Sequence, residues 1–169
     1  MEGIFPLLFL TLDHNTMTID TQTLSKVSEV KLTYQPKVKA SERAKITCSQ
    51  DAHQILLPFY EEEMSYRESF KIILLARNNK ALGVREVSTG GTSACIVDTK
   101  QIFQAAILAN ASGLILSHNH PSGERKPSSQ DIQVTKKVKS IAEMLHMQVL
   151  DHLIMFEDGY TSMADEGYM

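Results

Sequence analysis

Apolar and polar residues alternate along this chain in a way that separates strands from helices. Residues 70–75 (FKIILL) form the near-continuous apolar run of a buried strand. Asn78-Asn79 marks a turn, and residues 81–87 return as the second arm of a hairpin. Gly90-Gly91 then breaks the chain, and residues 94–97 predict another strand. Over residues 99–111 the period lengthens to that of a helix, with Ile102, Phe103, Ala106, Ile107 and Asn110 spaced for one face and Gly113 as its C-cap. Residues 114–117 form a short buried strand. Residues 129–146 form a second helix, with Ile132, Thr135, Val138, Ile141, Ala142 and Leu145 as its inner stripe. Residues 149–156, a turn at Asp158-Gly159 and residues 160–163 close the pattern with two strands. Upstream, Ser49 is an N-cap for a helix over 50–63 with Ile55, Leu56 and Phe59 inward and Glu61, Glu62 and Glu63 as its solvated end. The alternation predicts a mixed α/β domain over about residues 47–169.

Residues 1–46 are of a different kind. They are rich in Thr, Lys and Val and lack helical periodicity. Residues 29–34 alternate as a half-buried strand does, Pro36 interrupts, and residues 41–45 are charged like a linker, so 1–46 reads as an N-terminal extension with β character. Residues 4–12 (IFPLLFLTL) are apolar but have no basic stretch before them, and they are too short to span a bilayer. They fit a buried strand or a docking segment, through which copies of the chain could form a homo-oligomer. With 43% hydrophobic and 22% charged residues, the 169-residue chain has the composition of a globular protein. A net charge of -3 argues against a strong sequence-independent nucleic-acid binder, which is usually basic. Cys48 and Cys95 follow no zinc-ligand spacing and suggest no disulfide scaffold, which fits a reducing cytoplasm.

The chemistry concentrates in His118-Asn119-His120-Pro121-Ser122-Gly123, followed by Ser128 and Asp131. In extended backbone, residues two apart point to one side, so both imidazoles can reach one ion. Pro127 restrains the residue before it, and the helix starts after it, with Asp131 in its first turn. Two histidines and one aspartate would give zinc three ligands and leave a fourth place for water. A blander reading stands beside this one. A lone histidine is more often hydrogen-bonded than a ligand, and Ser128-Ser129-Gln130-Asp131 fits a capping box, in which the carboxylate only caps the helix. Spacing alone leaves both open.

The spacing His118-x-His120, seven residues, Ser128, two residues, Asp131 resembles the JAMM motif of the MPN/JAB metalloprotease superfamily. The longer pattern HNHPSG, PS..D and Asp151-His152-Leu153-Ile154 is similar to the RadC family, historically linked to DNA repair. It extends through Val87-Ser88-x-Gly90-Gly91-Thr92, Ile102-Phe103 and Tyr160-x-Ser162, covering about residues 66–167. The resemblance implies a curved, mostly antiparallel β-sheet flanked by helices, the cytidine-deaminase-like JAB/MPN architecture. It implies that His118, His120 and Asp131 bind Zn2+. By the same resemblance Glu68, in Arg67-Glu68-Ser69-Phe70, is the general base and then the general acid, and Ser128 donates to the developing oxyanion. Glu68 is preferred to Glu61, Glu62 and Glu63 because it directly precedes the apolar strand. The chain departs from the family in showing no helix-hairpin-helix pattern in residues 1–46, in Lys100 where arginine is usual, and in Glu124-Arg125-Lys126 after HNHPSG.

The expected function is that of a JAMM-type zinc metallopeptidase or isopeptidase, with a peptide or protein substrate and no membrane partner. The alternatives are a non-catalytic DNA repair or recombination module, which leaves a nucleic-acid partner open, and a metal-stabilised domain without turnover. Asp151-His152 fits a supporting or core hydrogen-bonding role better than a second metal pair, because adjacent strand residues face opposite sides. Lys136, Lys137 and Lys139 fit a solvated helix face, Cys95 a buried structural thiol, and the eight methionines gap-filling.

Overall fold

The computed structural model describes residues 33–90 and 97–169. The expectations for residues 4–12, for Cys95 and for most of the strands over 29–34 and 94–97 lie outside these residues.

Five strands form one sheet in the order β2-β1-β3-β4-β5. They are β1 (Ser69–Leu75), β2 (Ala81–Thr89), β3 (Gly113–Asn119), β4 (Gln148–Phe156) and β5 (Gly159–Ser162). All neighbours are antiparallel except β3 and β4. A parallel pair needs a long crossover, and the helix α3 (Ser129–Met144) supplies it. The other described helices are α1 (Ser49–Leu56) and α2 (Thr99–Leu108). None is long and apolar enough to cross a membrane.

The sheet is the middle of three layers because alternate side chains of a strand leave on opposite faces. Phe70, Ile72 and Leu74 of β1 and Leu114 and Leu116 of β3 pack against Ile102, Phe103 and Ala106 of α2 and Val138 and Ala142 of α3. The intervening Ile73, Leu75 and Ile115 pack with Ala52 and Leu56 of α1 and with Tyr60. Burial on both faces explains the near-continuous apolar runs of β1 and β3.

The helix expected over 50–63 ends at Leu56. Pro58 cannot donate an amide in a helix interior, so the chain tightens into a 3-10 turn over Leu57–Phe59 and Phe59 stays exposed. The helix expected to reach 111 ends at Leu108, with Asn110 rather than Gly113 in the left-handed region (φ 52°). Gly113 opens β3 instead. Ile107 faces solvent. The last helix stops at Met144 with Leu145 exposed, and His146 (φ 55°) turns the chain into β4.

Glu63 is the clearest correction, because it is no solvated helix end. Lys71 points into the α1 side of the sheet and is almost fully buried. A buried ammonium costs several kcal/mol unless it is paired. Its Nζ donates to Glu63 (3.1 Å), Glu86 (2.8 Å) and Ser69 Oγ (2.9 Å), and sits 4.6 Å from the Tyr60 ring centre. Arg67 donates to the other Glu63 oxygen at 2.7 Å. Burial alone would raise the Glu63 pKa, but hydrogen bonds from Ser69, Arg67 and Lys71 outweigh it and bring the group from 4.5 down to about 2.

A depressed folded-state pKa stabilises the fold above the unfolded value, and this is lost as pH falls through the folded value. Glu63→Gln is expected to cost about 2 kcal/mol near neutral pH, less than a fully broken buried pair because Glu86 still holds Lys71. The deficit against wild type should shrink as pH falls from about 4.5 toward about 2. Urea unfolding at pH 7 and about pH 3 measures it, and an equal loss at both would contradict the electrostatic account.

Candidate metal centre

The C-terminal end of β3 and the first turn of α3 meet on the α2–α3 side of the sheet. Strand alternation turns His118 and His120 to this side and Asn119 to the other. After His120 the chain turns at Pro121-Ser122-Gly123, where Gly123 adopts φ 75° and its amide donates to the His120 carbonyl at 3.0 Å. The Nε2 atoms of His118 and His120 lie 2.9 Å apart. Asp131 Oδ1 lies 3.3 Å from the first, and Oδ2 lies 3.7 Å from the second. Among the described residues, these three form the one group of His, Cys, Asp and Glu side chains placed to hold a metal ion, with ligand atoms within 4.8 Å of one another.

The surroundings fix what these atoms offer. His120 Nδ1 lies 2.7 Å from the Glu124 carbonyl, which can only accept, so Nδ1 carries the proton. A neutral His120 therefore presents a lone pair at Nε2, facing the second imidazole and a carboxylate. Such a group needs a cation, whether a proton or a metal, between its members. Burial disfavours charge on His120, yet the Asp131 carboxylate, the Glu124 carbonyl and Glu68 outweigh it and raise its pKa. Burial likewise opposes the charge on Asp131, but the facing imidazoles and Ser128 hold it well below the usual carboxylate range. Two imidazole nitrogens and an ionised carboxylate suit zinc.

The capping reading of Asp131 holds in the structure. Ser128 is the N-cap of α3; its amide donates to Asp131 Oδ2 at 2.7 Å, and its Oγ accepts from the Asp131 amide at 3.2 Å. Capping and facing the histidines are compatible because Oδ1 still points toward His118. Ser128 Oγ is used as an acceptor, which leaves its own proton to donate. Glu68 is half-buried just ahead of β1, and its carbonyl accepts from the Gly90 amide at 2.9 Å. Phe70 pairs with His118 across the antiparallel β1–β3 ladder, so that register, extended by two positions, sets Glu68 opposite His120.

Two supporting residues, Asn119 and Thr135, do not stand out for such roles in the sequence, whereas His152 makes buried hydrogen bonds of the kind expected of it. Asn119 is fully buried. Its Oδ1 accepts from the Ser69 amide at 2.8 Å, and its Nδ2 donates to the carbonyls of Arg67 (2.8 Å), Met64 (3.0 Å) and Glu63 (3.3 Å). The side chain between the two histidines thus binds the segment that carries Glu68. On the other face, His152 Nε2 lies 2.8 Å from His118 Nδ1, and Thr135 Oγ1 lies 2.6 Å from His152 Nδ1. Full burial holds the His152 pKa well below its ordinary value. Asp151 faces away and accepts from Ser162 Oγ (2.6 Å) and the Ala164 amide (3.0 Å). The opposite orientations of Asp151 and His152 follow from strand alternation. The signal for Thr135 is its place in the helix stripe, which the sequence presents as packing, and that for Asn119 is the parity that turns it away from the two histidines.

A cleft of about 150 Å³ opens beside His120, lined by Met64, Ser65, Pro121, Arg125, Phe156 and Asp158. The Arg125 guanidinium lies 5.3 Å from the Phe156 ring centre. A larger cleft of about 460 Å³ lies at the opposite end of β3, by Gly113 and Arg77, away from this chemistry.

Residues 46–168 match the family described as RadC-like JAB domain. The chain belongs to the RadC family. The mostly antiparallel sheet with flanking helices is consistent with the JAB/MPN fold, and the RadC match begins well before residue 66, taking in α1. Similar proteins include a UPF0758 protein of Flavobacterium johnsoniae, 44% identical over 123 residues (73% of this chain, 53% of that protein). A UPF0758 protein of Caldanaerobacter subterraneus is 36% identical over 129 residues (75% and 54%), and one of Methanosarcina barkeri 34% over 127 (75% and 55%). The chain spans about half the length of these curated relatives.

Asn119→Ala would strand a buried amide and its facing carbonyls and should cost about 3 kcal/mol in urea unfolding. Asn119→Asp keeps the shape but cannot donate, so it should be no better. A wild-type midpoint for the Asp variant would remove Asn119 from this role.

Proposed function

We propose that this RadC-family chain is a zinc-dependent hydrolase of the JAMM type that cleaves a peptide or isopeptide bond. The observation that carries the reading is the convergence of His118 Nε2, His120 Nε2 and the Asp131 carboxylate, with the His120 donor fixed by the Glu124 carbonyl. His118, His120 and Asp131 would hold the ion. Bound there, zinc would supply Lewis-acid polarisation of the scissile carbonyl and a lowered pKa for water.

The chain's own groups would do the rest. Glu68, opposite His120 in the strand register, takes the proton of the attacking water and returns it to the leaving amine. Support for its place includes its contribution to the raised pKa of His120. The Ser128 hydroxyl, held by the cap, donates to the oxyanion. The cleft beside His120 gives an extended substrate a path to the centre.

Zinc titration of metal-free protein should show tight binding that the double variant His118→Ala, His120→Ala abolishes. Glu68→Gln should keep the metal and lower cleavage of a mixed peptide and lysine-isopeptide library by about 100-fold or more. Equal zinc binding in the double variant would sink the metal reading. Undiminished cleavage by Glu68→Gln would remove Glu68 as the base.

A further inference from the structure

Behind the candidate ligands runs a hydrogen-bond chain in which every proton can be placed. Thr135 Oγ1 lies 2.6 Å from the Asp131 backbone carbonyl, an obligate acceptor, so the hydroxyl proton is spent there. The same oxygen lies 2.6 Å from His152 Nδ1. It can only accept from that nitrogen, which must therefore carry a proton. A neutral His152 then has a lone pair at Nε2, 2.8 Å from His118 Nδ1. His118 must donate to it, which leaves the lone pair of His118 on Nε2, the atom that faces His120 and Asp131. The ring of Phe70 packs edge-on to His152 (5.5 Å) and parallel to His118 (6.3 Å), so both imidazoles rest against one aromatic side chain.

We infer that Thr135 and His152 are positioning residues that fix the tautomer of His118 and so present its Nε2 as a metal donor. The inference rests on the zinc reading above and deepens it. The chain also closes on itself. Thr135 sits one helical turn after Asp131 and is bonded to its carbonyl, so one relay joins the aspartate's helix to the first histidine. A partner of this kind behind a ligating histidine orients the ring and raises its basicity, and losing it typically weakens metal binding about 10- to 100-fold.

The test uses zinc alone and the whole chain. In metal-free wild type at about pH 9, long-range nitrogen–proton NMR should find protons on Nδ1 of both His118 and His152. Thr135→Val keeps the shape but leaves His152 Nδ1–H without an acceptor. His152 should then shift toward its other tautomer and push a proton onto His118 Nε2. Zinc affinity, measured by chelator competition, should fall about 10- to 100-fold, and Thr135→Ser should restore it to within about threefold of wild type. A core role without tautomer control predicts lower thermal stability but unchanged tautomers and zinc affinity in Thr135→Val. That result overturns the inference, as does a loss that Thr135→Ser fails to rescue. If Thr135→Val does not fold, the wild-type spectrum decides, since a dominant Nε2–H form of His118 overturns it. The two readings fail differently. Wild-type zinc binding by the double variant His118→Ala, His120→Ala defeats the zinc reading. Loss in that variant, with none in Thr135→Val, defeats only the positioning role.

Discussion

The two-residue period of β3 is the constraint on which the rest of this structure depends. Over three consecutive positions the strand sends His118 one way, Asn119 the other and His120 back again. One face then carries the imidazoles, and the other carries a carboxamide that ties down the segment ahead of β1. Both jobs share one backbone, so the strand that presents the candidate ligands also holds the segment bearing Glu68.

That arrangement puts polar groups in the middle of a sheet buried on both faces, where each unpaired donor or acceptor would be costly. Two separate networks meet the demand. On the α1 side, Lys71, Glu63, Glu86 and Ser69 compensate one another beside Asn119. On the α2–α3 side, His152 and Thr135 continue the His118 hydrogen bond to a helix carbonyl. Between them Ile72, Leu74, Leu114 and Leu116 keep the sheet apolar, so the polar groups gather at one end of it.

Much of this was legible in the chain. The hairpin of β1 and β2, the strand leading to His118 and the helix starting after Ser128 all follow local rules of period, turn and cap. The cluster His118, His120 and Asp131 could be anticipated because its members are near in sequence and lie at a strand end and a helix start. The boundary near residue 57 is masked in the sequence because the apolar spacing of Ile55, Leu56 and Phe59 runs on past Pro58, which ends the helix. Glu63 was misjudged for a different reason. Its partners Lys71 and Glu86 come from neighbouring strands, and no window along the chain brings them together. The tie from Asn119 to Ser69 spans fifty residues, so long-range pairing alone reveals it.

The candidate ligands and their supporting histidine all come from one stretch of chain, β3 through β4, with α3 between. Glu68 comes from outside that stretch, on a segment held by the Asn119 carboxamide. The seat for an ion and the group proposed to use it thus lie on separate pieces of the chain. On the proposed reading, a change at Glu68 would alter turnover while leaving the side chains of the seat in place. Descendants of such a chain could therefore keep every metal-facing side chain and still differ in whether they are enzymes.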